Sequence, residues 1–397
     1  MISPSPSSPL TQGATLFAVT GQLVVDGMLA LGAVVVREGR IAAVLRDPAP
    51  SELPATVHEA AVVSPGFIDL QVNGAFGVEV GESVDAIPHL AAQLPATGVT
   101  AFLPTLVSST PEVYPRACRA FLAGRTSTGA LPLGLHLEGP FLSLRRRGAH
   151  RASAIESAPA DLFQPFFELD ILRLVTLAPE LDGALDRIRL LRAHGVAVSL
   201  GHTDASYEEF VGGIDAGATM ATHLYSAMSG FGHRAPGAVG AALVDDRISV
   251  GLIADGIHCH PASVRLAVRA KGPGRVALVT DSIAGAGMEP GVYKLDGQDI
   301  LVDETLARLP DGKLAGSILT LDQAVRNVVE WARIGVAEAC HMASDVPARL
   351  LGLRTKGRLA VGCDADLTLL DDGLRVLATF REGRCLYLND PRAPTVA

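Results

Sequence analysis

Three short apolar, β-rich runs end in residues that can bind a metal: His136-Leu137-Glu138-Gly139, Ser199-Leu200-Gly201-His202 and Thr222-His223. Glu138, His202 and His223 together supply one carboxylate oxygen and two imidazole nitrogens. That donor set suits a catalytic divalent ion of the zinc type, with one position left open for water. Such an ion lowers the pKa of bound water to about 7 and polarises a carbonyl oxygen, supplying nucleophile and electrophile together. Taken singly, a histidine at a strand end is more often a hydrogen-bonded structural residue than a ligand. Three ligand groups on three strand ends reverse that expectation.

Three further runs end in polar residues: Asp69-Leu70-Gln71-Val72-Asn73-Gly74, Asp255-Gly256-Ile257-His258 and Thr280-Asp281-Ser282. Asp281 is the carboxylate best placed to take a proton from the attacking water and hand it to the leaving group. An Asp before Ser is equally a helix N-cap, and local sequence leaves both readings open. Asp69 has a structural reading of the same kind. His136 lies two residues from Glu138 and so faces the same way on a strand. It reads as a buried or supporting residue, not a ligand.

To serve one site these residues must share one rim. From about 61 to 346, eight β-branched runs alternate with segments of helical period, the pattern of βα units on a parallel sheet. They are Val63–Val72, Val99–Leu106, Leu133–Glu138, Leu172–Leu177, Val196–His202, Thr219–Leu224, Ile248–Ile253 and Val276–Asp281. Eight units in roughly 250 residues or more predict an α/β fold, a (β/α)₈ TIM-type barrel whose active site lies at the C-terminal strand ends. Gly291–Pro310 is a strand-like, turn-rich excursion before the last helices. The turn Arg-Glu-Gly-Arg occurs at 37–40 and again at 381–384, each between β-rich runs, and each reads as a hairpin. A lone hairpin is marginal in water. Residues 14–60 and 347–397 are therefore expected to join as a small β-sandwich domain built from both chain termini, with 1–13 a loose Ser/Pro-rich tail.

Composition sets the bounds. Of 397 residues, 48% are hydrophobic and 19% charged, which excludes disorder, collagen and coiled coil. No apolar run approaches the roughly 18 residues of a membrane span. Five cysteines (Cys118, Cys259, Cys340, Cys363, Cys385) without a C-x-x-C pair predict reduced thiols in a cytoplasmic protein. A net charge of -9 argues against nucleic acid as a partner. The dense basic cluster Arg145–Arg147 reads as a solvated loop.

The segments Pro65–Gly74, His136-Leu137-Glu138-Gly139-Pro140-Phe141, Gly201-His202-Thr203, Ala221–Met228, Ile253–His258, Thr280-Asp281 and Leu314-Ala315-Gly316-Ser317 resemble the metal-dependent amidohydrolases. Within them the chain is similar to the N-acetylglucosamine-6-phosphate deacetylases. Pro347–Leu353, Gly357-Arg358-Leu359 and Gly362–Leu367 resemble the return of amidohydrolases into their β domain. The resemblance covers nearly the whole chain beyond the tail. It implies a cytoplasmic homodimer that removes acetate from N-acetylglucosamine 6-phosphate, leaving glucosamine 6-phosphate in amino-sugar catabolism. It implies one divalent ion per subunit, Zn²⁺ foremost with Fe²⁺ an alternative, on Glu138, His202 and His223, with Asp281 the acid/base. His150 and His258 resemble sugar and phosphate contacts. Ser226 and Ala227 fall where the family contacts phosphate partly through backbone. Arg234 resembles the phosphate-binding arginine of the sixth loop, which in this family reaches across the dimer.

The chain departs from the family pattern at three places. Gln71 and Asn73 stand where many amidohydrolases carry His-x-His for a second metal, so a second ion or an ordered water is the question there. Ser226 replaces a frequent Asn, and His233 and Ala235 flank Arg234 in place of the expected residues. Two other readings follow: the same fold acting on N-acetylgalactosamine 6-phosphate, another N-acyl sugar or a cyclic amide, or a non-catalytic barrel serving as a binding scaffold. The absent His-x-His counts against the cyclic-amide enzymes. The joint presence of Glu138, His202, His223 and Asp281 counts against the scaffold.

Overall fold

The computed structural model describes residues 16–125, 128–159 and 161–389; the tail expected over 1–13 lies outside them. Each of the eight runs contains a strand: Phe67–Val72, Val99–Val107, Leu135–Glu138, Leu172–Leu177, Ala197–Leu200, Met220–Ala221, Ser249–Leu252 and Val276–Leu278. They pair in chain order, all parallel. The last and first are drawn together by a parallel bridge between Val72 and Ser282, with the Asp281 N–H donating to Gln71 O at 2.9 Å. The result is a nearly closed barrel. Val99–Val107 is buried at every position, as expected of a parallel strand covered on both faces.

Helices follow the strands on the outside, and their starts are written in local chemistry. Before the helix Tyr207–Asp215, the Ser206 hydroxyl accepts from the Glu209 N–H at 3.2 Å. The Glu209 carboxylate accepts from the Ser206 N–H at 2.7 Å, completing a capping box.

Both ends of the described chain meet in one seven-stranded sheet, in the order Arg384–Leu388, Val376–Arg381, Leu367–Leu370, Val57–Pro65, Leu16–Val25, Met28–Arg37, Arg40–Arg46. The expected sandwich is a single sheet folded over on itself. Phe17, Val34, Leu367 and Phe380 share its core. The two Arg-Glu-Gly-Arg turns come into contact: a Cβ on Gly383 would lie 3.3 Å from the Gly39 Cα. Gly39 and Gly383 both hold positive φ, 79° and 73°, as hairpin turns of this kind demand.

One apolar run serves two sheets. Val63–Val72 divides at Gly66: Val57–Pro65 belongs to the terminal sheet and Phe67–Val72 opens the barrel. The Gly66 N–H donates to Asp366 O at 2.8 Å, and a Cβ there would lie 2.2 Å from Thr100 Oγ1. The boundary expected at 60 thus falls inside a strand, and that expected at 347 inside the helix Asp345–Leu350. Periodicity does not register which sheet a buried strand joins. The excursion after the eighth strand is a three-stranded antiparallel flap of Gly291–Leu295, Gln298–Val302 and Ala307–Arg308.

Lys356 is 8% exposed, and its ammonium lies 2.9 Å from Asp364 Oδ2 and 2.7 Å from Asp366 Oδ2. Asp366 Oδ1 also accepts from the Glu382 N–H at 2.8 Å, tying this loop to the second repeated turn. Lys356→Met leaves the buried Asp366 carboxylate without its cation, while Asp364 keeps only Arg40. Such a loss costs about 3–5 kcal/mol. The expected result is a lower urea midpoint with the metal site still able to load.

Candidate metal centre and active site

The C-terminal rim of the barrel opens into a cavity of about 630 Å³, and Glu138, His202, His223 and Asp281 line it. Glu138 ends its strand, while the other three lie just beyond the fifth, sixth and eighth strands. There the backbone turns sharply: His202, His223 and Asp281 have φ of 49°, 27° and 52°. A left-handed non-glycine residue costs of order 1–3 kcal/mol, and such residues cluster where side chains must be aimed for function.

Glu138 Oε1 lies 3.3 Å from His202 Nε2 and 3.0 Å from His223 Nε2, and the two ring nitrogens are 3.0 Å apart. All three residues are buried. The Arg146 carbonyl accepts from His202 Nδ1 at 2.9 Å, which fixes Nδ1 as the protonated nitrogen and leaves Nε2 a lone pair. Burial, then the charge of His150, lowers the His202 pKa to about 4. Burial opposes ionisation of Glu138, yet the imidazoles of His150, His202 and His223 around it hold it well below the usual carboxylate range. Burial likewise disfavours charge on His223, but the bond and charge of Glu138 outweigh it and the pKa is raised. A carboxylate oxygen and two imidazole nitrogens thus converge on one point, where a single proton can serve only one contact at a time. A divalent cation satisfies all three, so the residues fit the ion that this donor set implies.

Asp281 sits beside this cluster. Its Oδ1 accepts from Gln71 Nε2 at 3.0 Å and Asn73 Nδ2 at 2.6 Å. Gln71 Nε2 also reaches Glu138 Oε1 at 2.8 Å. The two amides therefore join the carboxylates, while Gln71 Oε1 and Asn73 Oδ1 are buried without a hydrogen-bond partner among the described residues. Asp281 Oδ2 makes no hydrogen bond among the described residues. Burial, and after it the charge of Glu138, push the Asp281 pKa up to about 6. The competing N-cap reading fails, because the chain enters turns and no helix follows Asp281.

His150 lies close to the same cluster: Nε2 is 3.7 Å from Glu138 Oε2 and Nδ1 is 2.9 Å from Ser108 Oγ. His258 faces the cavity with its Nδ1 bound 2.7 Å from Asp255 Oδ2. Asp255 is itself held by the N–H groups of Ile257 and His258, both at 2.8 Å. Ser226 and Ala227 line the cavity, as do Leu314 and Gly316. Arg234 does not: it is exposed on the loop beyond Ala227. His136 and Asp69 are structural. His136 bonds Thr176 Oγ1 and Leu70 O, and Asp69 accepts the Thr280 hydroxyl at 2.6 Å, stitching the first strand to the last.

Sequence reasoning missed several lining residues. Arg145, Arg146 and Arg147, read as a solvated loop, border the cavity, and the flap adds Leu295, Asp296 and Gln298, with Lys313 following it. Asp255 stands three residues before His258 in the motif that ends the seventh run, and that spacing was the available signal.

The family model described as "Amidohydrolase family" matches residues 62–386. The chain is 42% identical to the human N-acetylglucosamine-6-phosphate deacetylase over 346 residues, 83% of this chain and 84% of the relative. It is 38% identical to the N-acetylgalactosamine-6-phosphate deacetylase of Escherichia coli O157:H7, over 88% of this chain and 93% of that one. A solved variant of the Mycobacterium smegmatis N-acetyl-D-glucosamine-6-phosphate deacetylase, in complex with N-acetyl-D-glucosamine-6-phosphate, superposes with a TM-score of 0.88 at 34% identity. It covers 94% of this chain and 100% of that one. A candidate metal-binding set at the strand ends of a nearly closed barrel, a sheet built from both ends and these likenesses agree: the chain belongs to the amidohydrolase family, among its N-acetylglucosamine-6-phosphate deacetylases.

Proposed function

We propose that the protein hydrolyses the acetamide of N-acetyl-D-glucosamine 6-phosphate, releasing acetate and D-glucosamine 6-phosphate. The observation that carries this reading is the convergence of Glu138, His202 and His223 beside Asp281 in one buried corner of the cavity. Those three residues would hold zinc or another divalent ion such as Fe²⁺, which would supply acidification of water and polarisation of the amide carbonyl.

The remaining work belongs to the chain. Asp281 takes a proton from the attacking water at Oδ2, the oxygen its amide partners leave open. It then passes that proton to the amide nitrogen as the C–N bond breaks, so the amine leaves neutral. Gln71 and Asn73 hold the Asp281 carboxylate in place, and their unpaired amide oxygens are suited to order a water. The Asp255–His258 pair presents the His258 ring to the sugar phosphate, with Ser226 and Ala227 beside it. Arg234, exposed and making no ion pair among the described residues, is suited to the site of a second copy in a homodimer. Phe231, 64% exposed on the same loop, supports that arrangement.

No helix among the described residues is long and apolar enough to cross a membrane. The five cysteines are free thiols, which fits a cytoplasmic location.

The deciding assay is acetate release from N-acetylglucosamine 6-phosphate before and after chelation, with zinc added back. Release that needs both the metal and the phosphate is the expected result; a zinc-loaded protein that releases none refutes the reading. Ser226, shorter than the frequent Asn, favours testing the galactose epimer alongside. A clear preference for that epimer would move the assignment to it.

A further inference from the structure

We infer that Arg145, Arg147 and Lys313 form a cationic rim that draws an anionic sugar phosphate into the cavity, an inference that rests on the proposed function. All three border the cavity, on loops other than the one carrying Ser226 and Ala227.

The chain carries a net charge of -9, so at long range it repels a dianion. Glu138 and Asp281 add negative charge at the cavity floor. The rim reverses that sign locally. Arg145 is 85% exposed on its side chain and shares Asp204 with Arg146, at 3.4 and 2.8 Å. Arg147 donates to the His150 carbonyl at 2.6 Å and makes no direct ion pair among the described residues, though its charge reaches Asp311. Lys313 pairs with Asp311 at 2.6 Å. Four cations, Arg146 included, therefore face two carboxylates, and the excess is positive. Asp296, also at the rim, is offset by its own pair with Arg151 at 2.5 Å.

The rim is also fixed relative to the metal ligands. The Arg146 carbonyl and the Ser143 N–H both bond His202, each at 2.9 Å. Gly148, at φ +56°, packs so close that a Cβ would lie 3.2 Å from the His202 ring. Cations held at a cleft mouth with low-dielectric walls focus the field and raise association by about 10- to 1,000-fold. The rim acts on capture of the phosphate, and Ser226, Ala227 and His258 seat it afterwards.

The test compares wild type with the triple variant Arg145→Ala/Arg147→Ala/Lys313→Ala. Ionic strength runs from about 0.01 M to 1 M, over which the screening length falls from about 30 Å to 3 Å. The expected result is a kcat/KM for N-acetylglucosamine 6-phosphate about tenfold lower at low salt, with a flattened salt dependence. The unphosphorylated sugar should show no such difference. A control lacking Arg189, Arg269 and Arg358 removes the same charge far from the cavity and should keep the wild-type slope. The rim is refuted if the triple variant keeps that slope, if the control loses it equally, or if the deficit persists unchanged at 1 M. A wild type that releases no acetate refutes the proposed function instead. The same salt comparison on calorimetric binding of inorganic phosphate then decides the rim.

Discussion

Replacing Asp281 by asparagine is expected to lower kcat by about 10²- to 10⁴-fold while the bound metal stays at its wild-type level. The substitution is nearly isosteric. An asparagine Oδ1 can still accept from Gln71 and Asn73, so the local packing survives and only the proton carrier is lost. The pH profile gives a second check. The working form of Asp281 is the carboxylate, and burial followed by the charge of Glu138 places its pKa at about 6. A cation on the Glu138 side draws it lower. The wild-type kcat/KM should therefore fall about tenfold per unit on an acid limb at or below that pH. The Asp281→Asn variant should lack that limb. Retained turnover with the limb intact would assign the proton transfer to another group.

Glu138→Gln is expected to lose both the ion and the activity. Glutamine keeps the shape but removes the charge that offsets a divalent cation. Its amide N–H groups also turn donors toward His223 and His202, which the ion would otherwise join. Losing several kcal/mol of transition-state stabilisation, at 1.36 kcal/mol per decade, corresponds to about 10³-fold or more. Metal analysis of the purified variant should find it empty. Thermal melts give an independent reading. Added zinc stabilises a protein whose native state binds it by about 4 kcal/mol at 1,000 times its Kd. The wild type should show that shift after chelation and re-addition, and the variant should not. A zinc-loaded Glu138→Gln would place the ion elsewhere.

Much of this site is legible in the amino-acid sequence because barrel geometry converts strand ends into one rim. Glu138, His202 and His223 each stand at the end of a β-branched run, and the fold brings their ligand atoms within 4.8 Å of one another. What escapes the sequence does so for physical reasons. Gly66 passes the chain from one sheet to another inside a single apolar run, and hydrophobic period is the same on either side of it. Arg145–Arg147 and Lys313 are far apart in sequence and share a cavity only because a loop and a flap close over the same rim. Asp281 is ambiguous between capping and catalysis on local sequence, and the absence of a following helix removes only the capping reading. Arg234 shows the reverse case: its motif is readable, yet its position outside the cavity depends on how a loop folds.

The folded-over terminal sheet also bears on how the chain matures. Leu367–Leu370 pairs with Val57–Pro65, so the middle of that sheet joins residues separated by nearly the whole barrel. During synthesis, the first four strands can pair with one another as they leave the ribosome, but the outer edge of Val57–Pro65 has no partner until much later. Until Leu367–Leu388 emerges, Val57–Pro65 presents an unpaired edge, the kind of surface that invites pairing with other chains. The barrel between them can form from local βα units as it is made, whereas the sheet closes only after synthesis ends. Shortening the chain by its last three strands should therefore yield a protein that aggregates while being made, even though Glu138, His202 and His223 are all present.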